Sequence, residues 1–146
     1  MTDQVKSLGT EPVPAPDFSN SEPRDLAFEC ARILLNKKGS ALKVFSVADV
    51  TVIADYYVIV TGRSSTQIKA LADDLVYEMG RRNIPCAHLE GRDGGAWILC
   101  DFGCVIVHVF DRESREYYNL ERLIPPESEV DVSSLLTQDE GNGPKD

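Results

Sequence analysis

Residues 55–61 read DYYVIVT and residues 64–79 read SSTQIKALADDLVYEM, and the passage from one to the other decides the fold. The first is an unbroken run of β-branched and aromatic residues, the mark of a strand buried on both faces. In the second, Ile68, Leu71, Ala72, Leu75, Val76 and Met79 recur at intervals of three and four, which draws one apolar stripe along a helix. Ser64 stands three residues before Gln67, the spacing of a capping box. Asn83 can take the left-handed position that ends a helix, and Pro85 prevents continuation. A short strand at 86–89 follows. Strand, helix and strand in this order form a right-handed crossover, which predicts a parallel pair.

Outward from this unit, Ser21 can cap a helix over 22–37, with Pro23 in its first turn and Leu26, Cys30, Ile33 and Leu34 on its inner side. Gly39 is a stop, and 42–47 reads as a strand. Downstream, 96–101 and 104–110 are strands joined by Phe102-Gly103, too short a link for anything but an antiparallel hairpin. With those two residues as the turn, Asp101 opposes Cys104, Leu99 opposes Ile106 and Trp97 opposes His108. Residues 111–118 form a short helix, followed by Leu120 and Leu123. The reading is an α/β fold, a single domain with a mixed five-stranded sheet and about three helices.

The net charge of −9 sits at the ends of the chain. Residues 1–22 carry −3 and residues 125–146 carry −5, which leaves −1 for 23–124. Pro12, Pro14 and Pro16 with few large apolar groups mark 1–21 as a disordered tail. Pro125-Pro126 and Gly141-Asn142-Gly143-Pro144 mark 125–146 as a second, acidic one, with a short amphipathic turn possible over 130–136. The folded domain is 22–124. It lacks the dense basic footprint that neutralises phosphates, so nucleic acid is not its main target. No run approaches the roughly 20 apolar residues of a membrane span. No signal or transit peptide is read, and the four cysteines suit free thiols, so the expected location is the cytoplasm.

Three kinds of chemistry are weighed and set aside. Cys86-x-His88 and Cys100-x3-Cys104-x3-His108 match no common zinc spacing, and the hairpin turns Cys100 and Cys104 to opposite faces, so no metal is expected. Ser64 and Ser65 follow Gly62-Arg63 at a strand-to-helix junction, but the segment lacks the glycines of a nucleophile elbow and the lysine of a P-loop; capping explains it. Asp49, Asp55, Asp101 and Asp111 supply no Asp-x-Asp on a strand for a nucleotidyltransferase metal site. No catalytic residue and no cofactor is expected.

What remains is a surface. One hairpin face carries Trp97, Leu99, Asp101, Cys104, Ile106, His108 and Phe110, the other Ala96, Ile98, Cys100, Val105, Val107 and Val109. Both are apolar and few helices are available to cover them, so one is a candidate docking patch with Trp97 as its anchor.

At these residues the sequence resembles the ribosomal silencing factor family (RsfS, or Iojap-related proteins). The matching pieces are the residues 54–62 (ADYYVIVTG), Ser64-Ser65, 67–73 (QIKALAD), Glu90-Gly91, Trp97-Ile98-Leu99, Asp101-x-Gly103, 105–110 (VIVHVF) and 115–121 (REYYNLE). Together they cover roughly 22–124 in order. The chain departs from the pattern at Cys104, where an acid is usual, at Asn83, where glycine is usual, and in both tails. The resemblance implies a nucleotidyltransferase-like shape without its active site. It implies a translational repressor that binds ribosomal protein fourteen of the large ribosomal subunit and sterically blocks joining of the small subunit. The residues expected to meet the partner are Trp97, Ile98, Leu99, Asp101, Ile106, His108, Phe110, Glu90 and Glu113. The alternatives are a nucleotidyltransferase-like enzyme and a homodimeric interaction module that does not bind ribosomes.

Overall fold

The computed structural model describes residues 14–136; the parts of the expected tails at 1–13 and 137–146 lie outside them. Helix α1 (Pro23–Asn36) leads into β1 (Ser40–Ser46) and β2 (Tyr56–Gly62). Helix α2 (Ser65–Arg81) leads into β3 (His88–Glu90), β4 (Trp97–Asp101) and β5 (Val105–Asp111). Helix α3 (Arg112–Tyr118), two 3-10 turns and the two-residue strand β6 (Glu129–Val130) complete the order.

Helix α2 begins where its capping pattern predicts. Ser64 Oγ accepts a hydrogen bond from Gln67 N–H at 3.1 Å, and the Gln67 side chain accepts from Arg63 N–H, one residue earlier than a full capping box would have it. Asn83 takes a φ of 68° just past its end. Helix α1 is capped differently from expectation, by Glu22 rather than Ser21 and without a side-chain bond, with Pro23 at its start.

The sheet order is β3-β4-β5-β2-β1-β6. It is mixed, as expected, but has six strands rather than five. The sixth comes from the stretch read as a tail: Glu129–Val130 pairs antiparallel with Val44 and Phe45 of β1, burying Val130, while Val132 and Leu135 pack on the core. A few well-spaced apolar groups suffice to dock a segment whose overall composition is polar. Phe18 likewise packs against the core from the other tail, and its N–H bonds to the Arg82 carbonyl at 2.9 Å.

The parallel pair is β2 with β5, not β2 with β3. Strand β3 runs in the expected direction but lies three places from β2 in the order, because the β4–β5 hairpin is inserted between them. The hairpin turn is Gly103-Cys104, one residue later than predicted. Phe102 N–H bonds to the Val105 carbonyl at 2.9 Å, Gly103 adopts a φ of 96° that glycine tolerates without a steric cost, and Asp101 Oδ1 accepts from Gly103 N–H at 2.8 Å. The pairs are therefore Trp97 with Phe110, Leu99 with His108 and Asp101 with Ile106. Moving the turn by one residue shifts the pairing by two, so the paired side chains keep their expected faces, whereas Cys104, now inside the turn, packs on the core with Cys100 instead of on the Trp97 face.

The two faces are closed unequally. Leu26, Ala27, Cys30 and Leu34 of α1 and Ile68, Leu71, Leu75 and Met79 of α2 cover Val58, Val60, Ile98, Cys100, Val105, Val107 and Val109 in the main core. Each such aliphatic side chain removed from water stabilises by about 1.5–3 kcal/mol. The opposite face holds a smaller cluster of Phe45, Val47, Ala54, Ile59, Ile106, Phe110 and Ile124, with Tyr57, Trp97, Leu99 and Leu120 only partly buried at its edge.

Candidate functional site

The incompletely closed face is the candidate site. The register sets its side chains in cross-strand rows: Trp97 beside Phe110, then Leu99 beside His108 and Ile59, then Asp101 beside Ile106, Tyr57 and Phe45. Helix α3 folds back over β5, capped by Asp111, whose Oδ1 accepts from Ser114 N–H at 2.7 Å. It stops at Asn119, which takes a left-handed φ of 45°. That short helix lays Tyr118 against Trp97, with ring centroids 4.8 Å apart, and covers little else of the face. Tyr57, Trp97 and Leu99 stay half-buried.

An aromatic cluster fills the middle of this face. Trp97 stacks at a tilt on Phe110 at 4.8 Å, and Tyr57 meets His108 edge-on at 4.7 Å. The Trp97 indole Nε1–H donates to His108 Nδ1 at 3.1 Å. Burial pushes the His108 imidazolium pKa down to about 4, so the ring is neutral at pH 7. Since Nδ1 accepts, its proton sits on Nε2. That Nε2 is buried and has no hydrogen-bond partner among the described residues.

The predicted partner-binding residues fall into three groups. Trp97, Leu99 and Asp101 lie half-buried on the open face, and Glu90, in register with Leu99, is exposed at the sheet edge. Glu113 is exposed in the first turn of α3. Ile106, His108 and Phe110 have the right face but are buried beneath the others, at 4 %, 4 % and 0 % exposure. Ile98 is corrected: it is fully buried on the helix-covered face, because it alternates with Trp97 and Leu99 along β4, so a partner on the open face cannot reach it. Sequence reading missed Tyr57 and Tyr118. The parity of β2 places Tyr57 with Ile59, but a strand apolar on both sides hides that parity.

The surroundings are apolar and acidic. The 47–54 loop is rooted by Val47 and Ala54 in the cluster under Trp97 and exposes Val50, Val52 and Ile53 at its tip. Tyr117 and Leu123 are also exposed. Among the described residues Glu90 and Glu113 make no ion pair, whereas Arg92 is held by Asp73 and Arg115 by Glu121. The chemistry-bearing candidates have structural occupations. Asp111 caps α3, Asp101 holds the hairpin turn, and Ser64 caps α2. Among the described residues no three His, Cys, Asp or Glu side chains converge as a metal site. At Cys104 it is the main-chain carbonyl that matters, accepting from Asp55 and Tyr56 N–H. A hollow of about 560 Å³ between α3 and β1 has Arg115 as its floor, and that guanidinium is used up by Glu121, Thr61 Oγ1 and the Ala41 carbonyl.

Comparison with known proteins matches this arrangement to one family. The family described as "Ribosomal silencing factor during starvation" matches residues 20–146. The chain belongs to the ribosomal silencing factor family. It is 32 % identical over 120 residues to the ribosomal silencing factor RsfS of Halalkalibacterium halodurans, covering 82 % of this chain and all of that one. It is 36 % identical over 72 residues to the mouse protein named mitochondrial assembly of ribosomal large subunit protein 1, covering 47 % of this chain and 32 % of that one. Its fold is similar to a crystal structure from Chromobacterium violaceum, with a TM-score of 0.69 and 26 % identity over 79 % of this chain and 98 % of that one. The family is thus a regulatory one named for silencing ribosomes. The α/β fold expected from the sequence is the fold of that solved structure.

Proposed function

We propose that this silencing factor represses translation without catalysis, by seating the open sheet face on ribosomal protein fourteen of the large ribosomal subunit. There it occupies the ground that the small subunit needs for joining. The observation that carries the reading is the half-buried aromatic and aliphatic group of Trp97, Tyr57 and Leu99 on the face the helices leave open, with the exposed carboxylates of Glu90 beside Leu99 and of Glu113 on the short helix after β5. Interface anchors are typically aromatic, sit in well-packed surroundings and are ringed by polar groups. Acidic groups at the rim suit a basic partner and repel bare RNA phosphates, which favours a ribosomal protein over ribosomal RNA as the surface met. The mouse relative's name, with its large subunit, points to the same half of the ribosome. The absence of catalysis is supported by the structural duties of Asp101 and Asp111.

Sedimentation of the purified chain with separated subunits tests this. The chain travels with the large subunit and not with the small one, and its addition lowers the yield of joined ribosomes. Equal binding to both subunits, or binding to neither, overturns the reading. Self-association without ribosome binding would favour the homodimeric alternative.

A further inference from the structure

We infer that His108 is a positioning residue for the docking face: its Nδ1, bonded to the Trp97 indole, holds that ring in the attitude offered to the ribosome, while His108 itself touches no partner. This rests on the role proposed above for Trp97.

His108 is 4 % exposed, so a docked surface does not reach it. Its two immediate neighbours in the row are apolar, Leu99 on one side and Ile59 on the other. An aliphatic residue would continue that row without burying polar atoms. Histidine instead buries an Nε2–H that no group among the described residues accepts. The hydrogen bond its imidazole makes is the one to Trp97, at 3.1 Å.

Trp97 needs such a bond. It is the first residue of β4, and its ring rests 4.8 Å from Phe110, its partner in register, while the indole Nε1 reaches His108 on the next row. Phe110 and Tyr118 contact it at 4.8 Å each, but ring contacts are weakly directional and compatible with more than one side-chain rotamer. A linear N–H···N bond selects one of them. It also satisfies the indole N–H from within the protein, so the ring meets the partner with its carbon edge. The edge-on contact of Tyr57 and the parallel stack of Phe110 on the imidazole in turn hold His108 still.

The test uses the full chain and purified large ribosomal subunits. His108→Asn keeps an acceptor near the position of Nδ1, and His108→Leu removes it. Each is made with Trp97 present and with Trp97→Phe. Trp97 is the only tryptophan, so its fluorescence and its indole N–H resonance report the ring directly. With Trp97 present, His108→Leu weakens binding about tenfold and moves both signals, while His108→Asn stays within about threefold of the unaltered chain and keeps the indole resonance downfield. With Trp97→Phe, His108→Leu weakens binding no further. Equal losses in both backgrounds, equal losses for Asn and Leu, or unchanged binding by His108→Leu overturn the inference. If His108→Leu does not fold, hydrogen exchange decides: in the unaltered chain the indole proton exchanges well below the rate of free indole, and a free-indole rate overturns it. If the unaltered chain binds no subunit, the docking reading fails, and the indole signals still decide whether His108 orients Trp97.

Discussion

Arg82 and Glu29 lie 53 residues apart in the chain and form a buried ion pair, Nε to Oε2 at 2.7 Å, with both side chains about 9 % exposed. The pair joins the end of α2 to the middle of α1. Arg32 shares the same carboxylate, and Glu78 receives Arg82 Nη1 at 2.9 Å through Oε1 and at 2.7 Å through its carbonyl. Desolvation raises the Glu29 pKa, but the bonds from Arg32 and Arg82 outweigh it and leave the carboxyl below its ordinary value. Removing Arg82 takes one of the two guanidinium partners from a carboxylate held out of water and leaves Arg32 as the other. Arg82→Ala is therefore expected to lose about 1.5–3 kcal/mol of stability, the scale of a charged hydrogen bond rather than of an orphaned charge. Arg82→Met, which refills the volume, loses a similar amount unless Glu29→Leu accompanies it, and the double change recovers most of the loss. Denaturant unfolding of the four chains measures this.

His108 gives the stability a pH dependence of known sign. Its folded pKa, pushed down to about 4 by burial, is below the unfolded value of 6.5. Between these values the unfolded chain binds a proton that the folded chain refuses. The contribution is complete above pH 6.5 and is lost as pH falls toward 4, by about 3 kcal/mol in all. His108→Asn flattens this part of the profile. An unchanged slope between pH 6.5 and 4.5 in that variant would show that other groups supply it.

Trp97→Ala separates docking from folding. Trp97 is half-buried and leans on Phe110 and Tyr118, so truncation costs less stability than the roughly 3–5 kcal/mol of a core tryptophan. Affinity for the large subunit is expected to fall about 30- to 1,000-fold. Thermal melting and subunit sedimentation of one variant read both quantities, and a chain that melts far lower yet still binds when folded removes Trp97 from the interface.

Truncation is expected to cost stability where the sequence pattern predicts none. A chain ending at 124 loses β6, opens the β1 edge and uncovers the core under Val130, Val132 and Leu135. The expected loss is about 1–3 kcal/mol from apolar exposure alone, several degrees in melting temperature for a domain of this size.

Gly91 bears on the same face from its edge. It has a φ of 83°, and a Cβ there would stand 2.1 Å from the Trp97 carbonyl oxygen. Gly91→Ala must push β3 away from the start of β4. The expected result is a shift in Trp97 emission with about 1–3 kcal/mol of destabilisation, checked by fluorescence and melting of the same sample. Unaltered emission would mean that the loop yields instead of β4.

Periodicity alone determined the α/β class, helix α2 with its Ser64 cap and Asn83 end, and which face each paired side chain of the hairpin takes, Cys104 in the turn excepted. These are local properties, written in spacings of two and three to four residues, and they survive a turn misplaced by one. The tertiary structure alone decided which strands are neighbours, because hydrogen-bonded pairing of β2 with β5 joins residues about 50 apart and no local pattern marks the insertion of β4 between β3 and β2. It also decided that 129–130 joins the sheet, since docking there depends on the open edge of β1 rather than on the segment's own polar composition. The docking face shows the same division. Strand alternation named Trp97, Leu99 and His108 as one face, but burial is set by what lies across it. Two helices cover the valine side, one short helix covers part of the other, and so Trp97 stays at the surface while His108, on the same face, is sealed beneath it.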